Sequence, residues 1–261
     1  MYNYHKLNGW SYLPLSNPQD DLLVNGRSLS DIEGYRQLHI SGRGIVPMNA
    51  YLVEVPGRPG AFFNYSQDEV REIEVTFQLS GKSSNHLRDQ YEALNNRLRE
   101  VNEEGMLSLR FIDEPEWEYF GVLTEADDKP EQSLQLIDSF KLICPSPLKY
   151  RTEQSSAGII RLKHANQVLP ELIEGTVSNA TDYIAFKNND LRIGLKGNYN
   201  KGDKVRVEWF KDHVDITVNS VNKLHELSFF SYPETFFIKD KDHLSGIDID
   251  INKVIWRDRR L

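Results

Sequence analysis

Carboxylates in one short segment are the first candidates for chemistry in this 261-residue sequence. Asp113, Glu114 and Glu116 surround a proline between two apolar runs. Glycoside hydrolysis needs two carboxyl groups at a defined separation, one of which acts as a general acid. A hairpin turn of solvated charges has the same composition. The sequence shows no further catalytic group that would accompany these carboxylates. We therefore expect a surface turn and not a catalytic pair.

Two pairs of aspartates are candidates for binding a hard cation through oxygen atoms: Asp127 with Asp128, and Asp248 with Asp250. Neither pair has the glycine-punctuated ligand spacing of a calcium loop, which favours a solvated surface. The seven histidines are scattered singly, without the paired helical spacing of zinc proteases. The sequence therefore predicts no metal site and no cofactor.

The remaining chemical candidates are a thiol, a serine nucleophile and a phosphate-binding loop. Cys144, the only cysteine, lies between an apolar run and Pro145, a position typical of a buried structural thiol. No Gly-x-Ser-x-Gly motif is present. Residues 57–60 lack the Lys-Ser/Thr ending of a phosphate loop, and an extended run follows them where a helix would be needed. Enzymatic catalysis therefore has little support, and we expect no enzyme.

Composition narrows the class of protein further. A hydrophobic content of 39% and a charged content of 27% indicate a folded globular chain, long enough for two domains. No apolar run approaches the roughly 20 residues that span a bilayer, and no signal peptide is recognisable. The single cysteine excludes an intramolecular disulfide, so we expect folding in a reducing cytosol. The formal net charge of −8 argues against a general nucleic-acid-binding surface, although an acidic surface would let DNA slide past.

The chain begins with a turn-rich segment, residues 1–50. Residues 10–15 and 37–40 are predicted short strands, and Asn25-Gly26 favours a two-residue hairpin turn. Between residues 42 and 60, four glycines and three prolines interrupt extended residues. This composition predicts a projecting arm over residues 42–60.

The clearest strand covers residues 72–79, where strict alternation places every second, apolar residue on one face. An apolar stripe from Leu87 to Val101, spaced by four and three, predicts one helix that begins at Ser83 or Ser84. The stripe covers only about two heptads, so packing on a sheet is favoured over a coiled coil. Further strands are predicted at 106–112, 117–124 and 135–142. Together these elements predict an α+β domain with antiparallel sheets, one helix and the arm, over residues 1–147.

The pattern changes in the second half of the chain, where short strand-like runs alternate with turn clusters about every ten residues. This spacing predicts an antiparallel β-sandwich over residues 148–261, whose last residues either complete the sandwich or return to the first domain. The predicted strands are 158–164, 171–178, 182–187, 191–195, 204–211, 214–221, 227–231, 235–239 and 247–255. The fold class of the chain is thus mainly β.

Several segments together resemble the distal tail proteins of long-tailed bacteriophages, the siphophages. The resemblance runs from about residue 22 to 150, and the segments 55–60, 71–75, 84–101, 109–115, 119–123 and 140–150 carry it in order. The second domain resembles the galectin-like sandwich of that family at 202–203, 218–219, 227–230 and Trp256, with Ser220 where the family has glycine. The His-x-Asn-Pro-Arg and Trp-Gly-x-Glu strands of galectin sugar sites do not occur.

The resemblance implies a virion structural protein that forms a hexameric ring at the distal end of the tail tube. The ring would surround a channel for DNA transit and connect the tube to the baseplate, tail fibre or receptor-binding apparatus. Its expected partners are the tail tube protein, a tail-associated fibre or lysin protein and receptor-binding proteins, without membrane insertion. The expected location is the virion tail tip, after assembly in the bacterial host cytoplasm from a phage or prophage.

The arm is the candidate subunit contact in this interpretation, since projecting segments and sheet edges pair with neighbours. The candidate contact residues are Val55, Pro56, Gly57, Arg58, Pro59 and Gly60. The alternative is a monomeric carbohydrate-binding protein that recognises the bacterial surface through the C-terminal sandwich.

Overall fold

The computed structural model describes residues 20–127 and 133–261. The predicted strand at 10–15 and the candidate cation ligand Asp128 lie outside these ranges. Contacts between Cα atoms divide the chain into two compact units, with the boundary between Pro147 and Leu148.

The first unit, where described, contains nine strands, one α-helix and a short 3-10 helix at Leu29–Asp31. They are β1 (Leu22–Val24), β2 (Arg27–Ser28), β3 (Tyr35–Ser41), β4 (Met48–Glu54), β5 (Ala61–Asp68), β6 (Arg71–Ser80), α1 (Ser84–Arg99), β7 (Leu107–Phe111), β8 (Trp117–Ala126) and β9 (Gln135–Cys144).

Seven of these strands follow one another through antiparallel ladders in the order β2-β1-β7-β8-β9-β6-β3. The longest ladder joins β6 to β9, from Arg71 opposite Cys144 to Ser80 opposite Gln135. The alternation predicted for 72–79 is confirmed, because Ile73, Val75, Phe77 and Leu79 are buried in the core of this unit. The strands predicted at 106–112, 117–124 and 135–142 correspond to β7, β8 and β9.

The helix α1 packs its apolar stripe against this core. Its N-cap is Ser83, whose hydroxyl accepts a hydrogen bond from the His86 backbone N–H at 3.2 Å. Leu87, Leu94 and Leu98 are buried as predicted. The helix ends at Arg99, so Val101, which the sequence placed in the stripe, lies outside it and is exposed.

The second unit contains eleven strands and two 3-10 helices, at Leu224–Glu226 and Pro233–Thr235. The strands are β10 (Lys149–Arg151), β11 (Gln154–Ser156), β12 (Leu172–Val177), β13 (Thr181–Asn188), β14 (Leu191–Tyr199), β15 (Lys204–Trp209), β16 (Val214–Val218), β17 (Val221–Asn222), β18 (Ser245–Ile247), β19 (Ile249–Trp256) and β20 (Arg259–Arg260).

Two sheets enclose the core of the second unit, one in the order β11-β19-β12-β15-β16-β17 and the other β14-β13-β18. Their buried residues form one cluster, with Val207 and Val254 from the larger sheet and Phe186 and Ile193 from the smaller. This is a β-sandwich. The terminal strand β20 pairs with β10 of the same unit.

Three strands predicted in this unit, at 158–164, 227–231 and 235–239, are wrong. These segments are loops that form only isolated bridges, such as Val168 with Ile238. Each contains buried side chains that anchor the loop to the core, including Ile160, Phe236 and Ile238. Their spacing by two residues imitates a strand without a ladder beside it.

Two longer predicted strands are interrupted. Residues 214–221 form β16, a two-residue turn and the start of β17, and residues 247–255 are divided at Asp248, whose φ is 52°. A left-handed residue cannot continue a strand, so the chain turns there. The mainly-β class itself is confirmed.

Candidate assembly interface

The projecting arm predicted over residues 42–60 is a β-hairpin that extends further along the chain. Strands β4 and β5 form a separate two-stranded sheet, from Met48 opposite Asp68 to Glu54 opposite Ala61. We call residues 48–68 the hairpin arm. The sequence interpretation missed β5, which occupies residues that it left between the turn and the strand at 72–79.

Every residue of the hairpin arm is exposed, although many of its side chains are apolar. Its only charged residues are Glu54, Arg58 and Asp68. The large exposed side chains are Met48, Tyr51, Leu52, Val53, Val55, Phe62, Phe63 and Tyr65. A two-stranded hairpin is marginal by itself in water, and contiguous exposed apolar surface marks an interaction site. The hairpin arm therefore has the character of an interface.

Both faces of the hairpin arm carry apolar side chains. Directly opposed residues share a face, and on one face Tyr51 stacks on Tyr65 with ring centroids 4.3 Å apart. Leu52 and Phe63 are opposed on the other face. A bulge between Tyr51 and Leu52 changes the register between these pairs. The ribbon therefore offers apolar surface on two sides.

The six candidate contact residues, Val55 to Gly60, form the tip of the hairpin arm. The Arg58 backbone N–H donates to the Val55 carbonyl at 3.1 Å, which closes a turn. Gly57 and Gly60 have φ of 84° and 81°, the left-handed conformation that glycine tolerates best. The Arg58 guanidinium lies 5.6 Å from the centre of the Phe62 ring. The tip is thus a compact, exposed turn above the apolar strands.

A buried arginine fixes one side of the base of the hairpin arm. Arg71 donates hydrogen bonds to the carbonyls of Gly42 at 2.9 Å, Gly44 at 3.1 Å and Pro147 at 3.0 Å. Its guanidinium also lies 5.4 Å from the centre of the Tyr119 ring. One charged side chain therefore holds the segment that leads into the hairpin arm against the end of the sheet.

A second arginine holds the same segment to the turn between β7 and β8, which contains Asp113 and Glu114. Arg43 donates to both carboxylate oxygens of Asp113 at 2.8 Å and lies 4.1 Å from the centre of the Phe111 ring. Burial lowers the pKa of Arg43, but the hydrogen bonds and charges of Asp113 and Glu114 raise it overall. Two of the carboxylates considered for glycoside hydrolysis, Asp113 and Glu114, thus position the base of the hairpin arm.

Between these two arginines the backbone approaches β6 very closely. Gly42 has φ of 88°, and a Cβ atom there would collide with the Glu72 carbonyl oxygen. Only glycine allows this approach. An open groove of about 570 Å³ lies beside the base, lined by apolar residues such as Ile45, Val46 and Val70.

The other chemical candidates show no convergent site. Among the residues that the structure describes, no group of three or more His, Cys, Asp or Glu side chains could hold a metal ion. Cys144 is buried, and burial raises the pKa of its thiol to about 12. Asp127 accepts a hydrogen bond from the Ser139 hydroxyl at 2.8 Å. No helix in the described ranges is long and apolar enough to cross a membrane.

The first unit matches a known protein family. Residues 25–142, which include the hairpin arm and both arginines at its base, match the family model of the phage tail protein RIFT-related domain. The match covers 118 of the chain's 261 residues. The resemblance to siphophage tail proteins drawn from the sequence is thereby confirmed. A search of curated protein sequences finds no match.

Most of the chain, across both units, also shares its fold with solved phage proteins. It matches the Dit protein of phage SPP1, described as a paradigm of the hub adsorption apparatus in phages that infect Gram-positive bacteria. The TM-score is 0.74 at 17% identity, over 92% of this chain and 99% of that one.

Chains of the phage P2 baseplate in its activated conformation match less closely. The structure with Ca gives a TM-score of 0.55 at 9% identity, and the one with Sr gives 0.53 at 10%. Each match covers 87% of this chain and 91% of the other. At these identities the likeness establishes a common fold.

Proposed function

We propose that this protein is a structural hub of a phage tail, located at the tail tip in the virion. Six copies form a ring at the distal end of the tail tube and connect it to the baseplate, tail fibre or receptor-binding apparatus. The role is architectural and involves no catalysis. The observation that carries the proposal is the exposed apolar hairpin arm on a phage-tail domain.

The first unit forms the ring in this proposal. A head-to-tail contact between identical subunits closes into a ring when its rotation divides a full turn. The hairpin arm of one subunit packs on the adjacent subunit, which buries Leu52, Phe63 and their neighbours. The edge strands β2 and β3 are further surfaces on which a neighbour can pair.

The second unit docks peripheral proteins, and the ring surrounds a channel for DNA. On β6, the residues that alternate with the core are Glu72, Glu74, Thr76 and Gln78, and we propose that such acidic and polar surface lines the channel. DNA would then pass without binding. An electron-microscopy structure of the ring tests this, because a net positive potential on its inner surface would contradict it.

Deletion of the hairpin arm tests the ring proposal. The Glu69 backbone N–H donates to the Pro47 carbonyl at 3.1 Å, so a short Gly-Ser linker can replace residues 48–68 without moving the base. Arg43 and Arg71 remain in place. Mass photometry of the wild type should show hexamers, and the deletion variant should show monomers with an unchanged melting temperature. An undiminished hexamer in the deletion variant would refute the role of the hairpin arm.

The monomeric carbohydrate-binding protein is separated from the hub by solution mass. Size-exclusion chromatography with light scattering should give a ring mass for the hub. A monomer that binds sugar would favour the alternative.

A further inference from the structure

A second concave surface lies on the β-sandwich, remote in sequence from the hairpin arm. It is an open groove of about 430 Å³ between the β13–β14 turn and the loop that follows Leu227. Lys187, Asn189, Asp190, Arg192, Phe230 and Tyr232 contribute to its lining. Its volume falls in the range of small-ligand sites.

Two cations face each other beside this groove. Lys187 of β13 lies directly opposite Arg192 of β14 in the ladder. Like charges at directly opposed positions destabilise a sheet. Within the described ranges neither side chain forms an ion pair with a carboxylate, and Arg192 lies 5.4 Å from the centre of the Phe230 ring. The arrangement has an unfavourable repulsion that an anion between the two side chains would remove.

The aromatic side chains at the groove are displayed on a firmly anchored loop. The buried Ser231 hydroxyl accepts from the Gly194 backbone N–H at 2.9 Å, and the Trp209 indole N–H donates to the Pro233 carbonyl at 2.9 Å. Phe236 is buried in the core. Next to these anchors, Phe230 and Tyr232 remain 63% and 59% exposed. Exposed aromatic rings held in fixed positions are typical of binding sites.

We propose that this groove binds an acidic saccharide. The carboxylate or phosphate of the sugar would lie between Lys187 and Arg192, where charge-assisted hydrogen bonds form. The apolar face of the sugar ring would stack on Phe230 or Tyr232, and the Asn189 amide would hydrogen-bond to hydroxyl groups. The site uses neither of the galectin sugar motifs, and it goes beyond the ring proposal because it requires no particular oligomer.

The concave shape favours a saccharide over a partner protein. A stable protein interface buries about 800 Å² of surface on each partner. Here the aromatic and charged groups converge on a groove that fits one or two sugar units. An acidic segment of a partner protein is the competing occupant, and the experiment below includes it.

The test uses the full-length protein on a glycan array of uronic-acid and sugar-phosphate saccharides with their neutral counterparts. Titration calorimetry then follows the strongest acidic saccharide. We expect about tenfold tighter binding of the acidic form than of its neutral counterpart, and about tenfold loss in Arg192→Gln and in Tyr232→Ala. Phe210→Ala is the matched control, because Phe210 is 47% exposed in the same unit, stacks on His213 and does not line the groove, and it should bind as the wild type does.

Two further readouts keep the result interpretable. Lys187→Gln should weaken binding while it leaves the melting temperature unchanged or raised, because it removes the repulsion with Arg192. All variants should keep the oligomeric mass of the wild type, which separates this site from the ring. Absence of acidic-saccharide binding, equal affinity for neutral sugars, or affinity unaffected by Arg192→Gln and Tyr232→Ala would each overturn the proposal. Binding of a glutamate-rich peptide in place of any saccharide would overturn it as well.

Discussion

Substitution of Phe63 in the hairpin arm has the effect on assembly that can be calculated best. This side chain is 64% exposed, and its opposed residue Leu52 is 59% exposed. Phe63→Ser should therefore leave the folded monomer almost unchanged and weaken each contact between adjacent subunits.

The magnitude follows from the surface that a neighbour would cover. A phenylalanine side chain buries about 200 Å² when fully enclosed, so the exposed fraction of Phe63 leaves about 130 Å² for the partner. At about 25 cal/mol per Å², full burial in the ring stabilises each interface by about 3 kcal/mol. A change of 1.4 kcal/mol corresponds to a factor of ten, so the dissociation constant of each interface should rise roughly 100-fold in Phe63→Ser.

Mass photometry over a dilution series measures this shift. The concentration at which half of the subunits are assembled should move upward, and thermal unfolding should not change. Phe229→Ser in the second unit removes an even more exposed phenylalanine and should not alter assembly. If Phe63→Ser assembles at the same concentration as the wild type, the hairpin arm is not the subunit contact.

Three further predictions concern stability. Ser220 has φ of 66° in the turn between β16 and β17, which is a strained conformation for a residue with a Cβ atom. Ser220→Gly should therefore raise the free energy of unfolding, measured by urea titration, by about 1 kcal/mol. A decrease would contradict this prediction. Arg71→Met removes hydrogen bonds to three carbonyls and should lower the free energy of unfolding by about 3 kcal/mol. Arg36 is exposed, so the control Arg36→Met should change the free energy of unfolding little. Equal effects of the two substitutions would refute the anchoring role of Arg71. The raised thiol pKa of Cys144 predicts no reaction with a disulfide reagent at pH 8 until urea unfolds the chain. It also predicts that stability falls as pH rises from the ordinary thiol value of 9.0 towards about 12, because only the unfolded chain then loses the proton. Rapid labelling of the folded protein would disprove the burial.

The sequence predicted those elements whose residues face a core. In β6 and α1, each apolar position has a defined burial, so periodicity locates the element to within a few residues. The Asn25-Gly26 turn was also predictable, because asparagine and glycine are the residues that best tolerate the left-handed φ of a two-residue hairpin turn. Their φ angles in the hairpin between β1 and β2 are 50° and 75°.

The hairpin arm was only partly predictable for the same physical reason. Within the described ranges β5 pairs only with β4 and every one of its residues is exposed, so its sequence has no single buried face, and alternation gives no signal there. Its aromatic residues Phe62, Phe63 and Tyr65 were the available indication, because such residues favour strands. The contacts of Arg43 and Arg71 join residues about 30 to 75 positions apart, and no local pattern reveals pairs at that distance.

The opposite error occurred in the second unit. Phe236 and Ile238 alternate like a strand, but they are buried anchors of a loop that begins with a 3-10 helix. Whether an apolar pair lies in a ladder or in a loop depends on neighbours supplied by distant strands. Single-sequence periodicity does not contain that information.

Assembly of six copies through the first unit can be measured by native mass spectrometry of the full-length protein. For a chain of 30.2 kDa, we expect a dominant species of about 181 kDa, six times that mass. The variant without the hairpin arm should give monomers. A wild-type protein that remains monomeric at every concentration, or a hexamer that persists without the hairpin arm, would refute the ring.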